Sequence, residues 1–351
     1  MEFSKYRLKE LLQIGNGKDH AELSSGVYPV YGSGGLMRYV DCYLYDGESV
    51  LLPRKGSLSN IQYANGKFWT VDTCYYTIIN KSIVLPYYLY RLLNSLDLSG
   101  LDSGASIPSM TSKTYYGIKV LLPSLDIQEK ISNVLLRYDD LIETNNKRIK
   151  ALEQMAENLY KEWFVRFRFP GHETAEFEDG IPKVWEYCSL KRVFDVRYGK
   201  DHKNVDDGII PIFGSGGIMR YGNKALFSSE TVLIPRKGSL NNIMYYSGDF
   251  WTVDTMFYTV MLKNHFAKYA YYTMSSIDME SYNSGAALPS MTTDILYHLK
   301  ILVPDDNTLK KFDEFVTDIF DQKEVLIRNN KNLIKQRDLL LPRLMSGKLE
   351  V

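Results

Sequence analysis

Two short runs set cations beside a glycine and a hydroxyl directly after an apolar segment: Pro53-Arg54-Lys55-Gly56-Ser57 and, 182 residues on, Pro235-Arg236-Lys237-Gly238-Ser239. An arginine so placed can grip guanine O6 and N7 through two parallel hydrogen bonds, and lysine and serine suit phosphate oxygens. The competing reading is a solvated turn whose charges bind nothing specific. Gly32-Ser-Gly-Gly-Leu-Met-Arg38-Tyr39 and Gly214-Ser-Gly-Gly-Ile-Met-Arg220-Tyr221 offer exposed amides, an arginine and aromatics, with an ordinary hairpin loop as the alternative. Lys18-Asp19-His20 and Lys200-Asp201-His202 could read bases or form a capped loop, and the loop is favoured. Trp69 and Trp251, each followed by Thr-Val-Asp, fit a core position better than a stacking platform.

None of these groups proposes bond-breaking chemistry. Gly15-Asn-Gly-Lys18 lacks the spacing and the hydroxyl residue of a phosphate-binding loop. His172-Glu173 is followed by Thr-Ala-Glu rather than a second histidine, and no Asn/Asp-Pro-Pro-aromatic run signals methyl transfer. Pro304-Asp305-Asp306 could be half of a nuclease motif, but without a Glu-x-Lys partner it reads as a helix cap. The expectation is a chain with no catalytic residue and no metal site.

What must position these groups is a duplicated module. Phe68-Trp-Thr-Val-Asp-Thr73 returns as Phe250-Trp-Thr-Val-Asp-Thr255 at the same 182-residue offset. Ser103-Gly-Ala-Ser-Ile-Pro-Ser-Met-Thr111 pairs with Ser284-Gly-Ala-Ala-Leu-Pro-Ser-Met-Thr292 at 181, so the copies differ by one residue in length. Two copies are too few for a solenoid and suggest a pseudo-dimer folded from one chain. Within each, β-rich runs such as Ser49–Leu52 and Cys74–Ile79 lie between glycine turns, a proline-opened helix spans Pro86–Leu98, and Ile118–Pro123 or Leu299–Pro304 closes the module as a strand.

After each closing proline the apolar period changes from 2 to 3.5. Ile131, Leu135, Tyr138, Ile142, Asn145, Ile149, Leu152, Ala156 and Leu159 alternate steps of four and three, the seam of a coiled coil. Ile319, Gln322, Leu326, Asn329, Leu333, Gln336 and Leu340 repeat the spacing with more polar members. Asn145 and Asn329 would then sit on the two seams and fix their register. Pro170-Gly171, and Pro342 with Gly347, are the expected stops, and about 35 residues make a rod on the order of 50 Å long.

With 351 residues the chain has room for about two domains. Its three cysteines form no complete disulfide set, no run of 18 apolar residues occurs, and the N-terminus lacks a signal core. A soluble cytoplasmic protein without a membrane partner is the expectation. The 42 basic and 42 acidic side chains cancel overall, which argues against a broad basic coat. By segment, however, residues 1–124 and 187–304 carry +2 each, the helices −1 and 0, and residues 167–186 carry −3.

The duplication, the helices, and the runs Leu159-Tyr-Lys-Glu-Trp-Phe-Val-Arg-Phe-Arg-Phe-Pro-Gly171 and Leu340-Leu-Leu-Pro-Arg-Leu-Met-Ser-Gly-Lys348 resemble the specificity subunit of type I restriction-modification systems along essentially the whole chain. The resemblance implies a mixed α+β fold: two α/β target recognition domains joined by two long antiparallel coiled-coil helices in a pseudo-twofold cyclic arrangement. Its boundaries would be residues 1–124 and 187–304 for the recognition domains, 125–166 and 305–345 for the spacer helices, 167–186 for a linker and 346–351 for a tail. It further implies a non-catalytic subunit. Double-stranded DNA, two methyltransferase subunits and restriction/translocase subunits would be its partners. S-adenosylmethionine would act in the methyltransferase, and ATP with Mg in the restriction subunit, with no cofactor in this chain. Carried onto these residues, DNA contact falls first to Arg38, Arg54, Lys55, Ser57, Arg220, Arg236, Lys237 and Ser239, then to Lys18, His20, Lys200 and His202. Trp163, Phe164, Phe167 and Leu344 become candidates for methyltransferase docking.

Members of that family usually carry two dissimilar recognition domains, whereas these copies agree in nearly every motif. The expectation is a site with the same or closely related halves in inverted orientation. Asp19–Val27 against Asp201–Ile209, and Thr77–Asp102 against Thr259–Asn283, are the stretches that could make the halves differ. A coiled-coil protein adaptor without DNA specificity and a fused enzyme pseudo-dimer are the alternatives.

Overall fold

In the computed structural model of the chain, residues 2–98, 101, 108–283 and 289–351 are described. The repeated stretches 103–107 and 284–288 lie outside them. The chain divides into two compact units, Met1–Asn145 with Arg328–Val351, and Asn146–Ile327.

The repeated sequence produces the same strand order twice. In the first unit one antiparallel sheet runs Leu12–Asn16, Cys74–Ile79, Ser49–Pro53, Gln62–Ala64. A second runs Gly35–Val40, Ser25–Gly32, Lys67–Thr70, Tyr45–Asp46, its central pair parallel with Val30 opposite Trp69. In the second unit the corresponding sheets are Phe194–Tyr198, Met256–Met261, Thr231–Pro235, Met244–Tyr246, and Gly217–Gly222, Asp207–Gly214, Asp249–Thr252, Phe227–Ser228. Ser49–Pro53 and Thr231–Pro235 are buried on both faces, so they read as continuous apolar runs. The polar residue opening each is satisfied inside the sheet: Ser49 Oγ donates to Thr77 O at 2.9 Å, and Thr231 Oγ1 to Thr259 O at 2.8 Å. The one-residue length difference falls between the last of these strands and the following helix, Pro86–Asn94 in one copy and Ala267–Ser275 in the other.

The central helix spans Leu125–Tyr160 and the C-terminal helix Asp306–Met345. Asp305 caps the latter, its Oδ1 accepting from the amides of Asn307 and Thr308 at 3.0 Å each. The C-terminal helix passes through Pro342 and ends at Met345, just before Gly347 at φ +71°, so of the two expected stops the glycine and not the proline marks its end. Leu341, Leu344 and Met345 are buried in the first unit's core, and that burial offsets the missing proline N–H. The central helix ends before Pro170-Gly171, widening into a π-turn at Lys161–Val165, with Phe167 at φ +56°.

The seam on the central helix keeps its expected members buried or half-buried, with Asn145 buried. The C-terminal helix departs from expectation at alternate positions. Leu326, Leu333 and Leu340 face inward, but the intervening inward residues are Lys323, Asn330 and Arg337, while Gln322, Asn329 and Gln336 are exposed. The register asparagine is therefore Asn330, not Asn329. Asn145 Nδ2 donates to Asn330 Oδ1 at 2.8 Å, and Arg337 Nη1 donates to Asp139 Oδ1 at 2.8 Å, so the two segments are antiparallel within the first unit. In the second unit Lys323 Nζ lies 3.5 Å from Glu153 Oε1. Each polar residue sits on the seam because a polar partner meets it there.

The docking candidates are core residues. Trp163 and Phe164 are buried in the second unit among Phe312, Tyr269 and Trp185, and Phe167 packs on Trp185 with ring centroids 5.6 Å apart. Leu344 is 1% exposed in the first unit's core. The module cores thus remove Trp163, Phe164 and Leu344 from water, with Phe167 half-buried beside them. Residues 167–186 are likewise not a free linker: Phe169 and Trp185 are buried in the same core, and Trp185 Nε1 donates to Asp305 Oδ2 at 3.2 Å.

Candidate nucleic-acid interface

Four repeated motifs that are far apart in the chain meet at one edge of each module. Gly17 opens the first loop. A Cβ there would come within 2.0 Å of Val71 O, and one on Gly199 within 2.0 Å of Val253 O, so only glycine lets the loop lie against this backbone. Lys18 N then donates to Thr70 O at 2.8 Å while Trp69 Nε1 donates to Lys18 O at 2.9 Å; Lys200, Thr252 and Trp251 repeat both bonds at 2.9 Å. Both tryptophans are half-buried latches for this loop. Asp19 Oδ1 accepts from the amides of Ala21 and His20, which holds its carboxyl below the usual aspartate range.

The Arg-Lys-Gly-Ser turn is joined to the same edge. Arg54 N and Lys55 N donate to Thr73 O at 2.8 and 3.3 Å, and Arg236 N and Lys237 N to Thr255 O at 2.8 and 3.2 Å. Gly56 and Gly238 have φ of +87° and +86°, and a Cβ on either would crowd Ser33 or Ser215 Oγ, at 3.2 and 3.0 Å. Asn60 Nδ2 ties the turn to the hairpin tip through Ser33 O at 2.8 Å, as Asn242 Nδ2 does through Ser215 O at 2.7 Å. These asparagines escaped the motif comparison although they too stand 182 residues apart, just beyond the matched run.

Of the candidate contacts, Lys18, Lys55, Ser57, Lys200, Lys237 and Ser239 are exposed. Arg54 and Arg236 lie partly along the surface, over Tyr75 at 6.0 Å and Tyr198 at 5.3 Å. Among the described residues each spends only Nη1, on Asp72 O at 3.3 Å and Asp254 O at 3.2 Å. The remaining donors of each fork are available to a ligand. Asp72 and Asp254, whose backbone carbonyls accept these bonds, are themselves exposed.

Arg38 and Arg220 are used differently. Arg38 Nη2 donates to the carbonyls of His20 and Leu23, the latter at 2.9 Å. Arg220 Nη2 donates to His202 O and Val205 O at 2.7 Å each, with Nη1 on Asp207 Oδ1 at 3.2 Å. Both guanidiniums therefore hold the Lys-Asp-His loop from within rather than reaching outward. Arg220 Nε also donates to His202 Nδ1 at 3.2 Å, whereas Arg38 Nε and His20 Nδ1 are buried and find no partner among the described residues. Replacing Arg38 with Gln removes charge-assisted bonds worth about 1.5–3 kcal/mol each. Faster amide exchange confined to residues 18–24 is the expected result, and unchanged protection there would contradict the pinning role.

The family model for the type I restriction modification DNA specificity domain matches twice, over residues 1–154 and 182–336. The chain belongs to that family. A DNA specificity subunit supplies sequence recognition, which sets aside the adaptor without DNA specificity. The chain is 25% identical over 344 residues to the MjaIX specificity subunit of Methanocaldococcus jannaschii, covering 86% of this chain and 78% of that one. It is 34% identical over 126 residues to the MjaVIII subunit of the same organism, where the match covers 35% of this chain and 30% of the relative. The fold of this specificity subunit is also that of the S subunit from M. genitalium, with a TM-score of 0.65 at 16% identity over 98% and 96% of the two chains. Among the described residues no helix is long and apolar enough to cross a membrane, and no cluster of His, Cys, Asp or Glu could hold a metal ion.

Proposed function

We propose that each module reads one half of a bipartite duplex site through this loop edge, and that the two halves are the same or closely related sequences in inverted orientation. The observation that carries this is the convergence of the same four motifs in both copies, with matching bonds at Lys18 and Lys200, Trp69 and Trp251, Arg54 and Arg236, and Asn60 and Asn242. Arg54 with Lys55, and Arg236 with Lys237, present free donors beside an exposed aspartate. That mixture suits base edges, an arginine fork on guanine and a carboxylate on cytosine N4, better than a purely basic surface would. Differences between the halves fall to Ala21–Val27 against Lys203–Ile209, and to Gln62, whose Nε2 donates to Gly32 O at 2.8 Å where the second copy has Met244.

The long helices set the spacing of the halves. Exposed Leu141 and Leu339 in the first unit, and Met155 and Phe315 in the second, offer apolar positions for two methyltransferase subunits now that Trp163, Phe164, Phe167 and Leu344 are committed to cores. Methylation, with S-adenosylmethionine, and cleavage, with ATP and Mg, belong to the methyltransferase and restriction partners.

Fluorescence-anisotropy titration of the assembled specificity and methyltransferase subunits with random and target duplexes tests the reading. Affinity for random duplex falls steeply with salt as phosphate contacts are lost. Arg54→Ala weakens target binding by about 1–3 kcal/mol and relaxes one base position if the fork reads a base; equal weakening on all sequences assigns it to phosphate. No binding of any duplex by the assembled complex would overturn the reading.

A further inference from the structure

The hairpin beside the cationic turn has an apolar tip that the loop edge just described does not use. In the first unit Val30 pairs with Arg38 and Tyr31 with Leu36, so Met37 is an extra residue in its strand; Ile212, Arg220, Phe213 and Ile218 place Met219 in the same bulge. A bulge breaks the alternation of a strand and re-aims side chains. Leu36, Met37 and Tyr39, and Ile218, Met219 and Tyr221, are accordingly all between 41 and 58% exposed. Gly32 makes room for the bulge: a Cβ there would come within 2.7 Å of Met37 Sδ, and one on Gly214 within 2.5 Å of Met219 Sδ. An apolar cluster kept exposed at the same positions in both copies marks an interaction surface.

Its position points to the occupant. Ser33 at the tip accepts from Asn60 Nδ2 and lies where a Cβ on Gly56 would crowd its Oγ, so the apolar residues continue the surface bearing Lys55 and Ser57. The turn itself is narrow, with Gly35 at φ +121° and open space around Gly34, and Gly217 and Gly216 match them. A two-stranded ribbon of this kind fits the major groove, where the one apolar feature of the base edges is the thymine C5-methyl group. Resting on the DNA-reading function proposed above, we infer that the hairpin tips enter the major groove and that Leu36 and Ile218 read thymine methyl groups.

The test uses the full chain assembled with its methyltransferase and a duplex carrying the sequence that the complex methylates, synthesised with thymidine or with deoxyuridine throughout. Wild type is expected to bind the deoxyuridine duplex at least about fourfold more weakly, the equivalent of one buried methyl contact. The Leu36→Ser/Ile218→Ser variant is expected to lose affinity for the thymidine duplex and to be indifferent to the exchange. A wild type indifferent to deoxyuridine overturns the inference without reference to any variant, as do losses that simply add. A variant that no longer assembles with the methyltransferase assigns the hairpin to a protein interface and overturns it too. Sequence-specific binding persisting in those cases leaves half-site reading intact, whereas wild type failing to distinguish target from random duplex defeats that reading itself.

Discussion

Asp139→Asn is expected to destabilise the first unit by about 3–5 kcal/mol, the cost of leaving buried charge uncompensated. Asp139 Oδ2 accepts from Tyr87 Oη and from Arg91 Nη2, whose side chain is 7% exposed, while Oδ1 accepts from Arg337 Nη1 at 2.8 Å. One carboxylate thus pairs with a cation from the module's helix and with another from the C-terminal helix, the latter shared with Asp338. Burial alone would raise the Asp139 pKa, but the bonds from Tyr87 and Arg337 and the charge of Arg91 outweigh it and hold the carboxyl below the usual aspartate range. The sign of the pH dependence follows. A depressed folded-state pKa contributes stability that is fully present above the unfolded value, near 4, and is lost as pH falls through the folded value. The gap between wild type and Asp139→Asn in urea unfolding should therefore be constant near neutrality and shrink below about pH 4. Adding Arg91→Met should recover part of the loss by removing the stranded charge. A gap under 1 kcal/mol at pH 7 would show that the cluster is not what ties this module to its helices.

Phe164→Ala is expected to cost the second unit about 3–5 kcal/mol. Its ring lies 4.7 Å from Tyr269 and 4.8 Å from Phe312 in edge-to-face contact, and 5.7 Å from Trp185, so truncation opens a cavity among these three aromatic residues. Val165→Ala, one residue on and exposed, should change stability by under 0.5 kcal/mol and serves as the control. Were Phe164 a docking residue with no structural task, alanine would leave urea unfolding of the isolated chain unchanged and reduce only methyltransferase capture. The opposite pattern is expected.

The contrast between these two residues and their sequence signals shows what was legible. Tandem motifs 182 residues apart announced a duplicated module, and Cys74–Ile79 was readable as a strand because its apolar and β-branched residues lie between turns. The central seam was readable because all its members but Asn145 are apolar or aromatic. On the C-terminal helix the same period was visible, but Lys323, Asn330 and Arg337 look like surface residues until Glu153, Asn145 and Asp139 are seen facing them. Register therefore slipped by one, to Asn329. Trp163, Phe164 and Leu344 looked like free anchors because the modules they complete are built from distant parts of the chain. Arg38 and Arg220 looked like DNA contacts because sequence does not reveal that their donors are taken by carbonyls fifteen or more residues away. That Lys55 and Lys237 would be exposed was readable from residue type alone, since a lysine in a glycine turn needs little tertiary context.

The claim that two equivalent loop edges read two equivalent half-sites is tested most directly by mapping methylated bases across the genome of a host that expresses this chain with its methyltransferase. The account predicts one bipartite motif whose halves are identical or closely related in inverted orientation, separated by a fixed gap. Two unrelated half-sequences would contradict it.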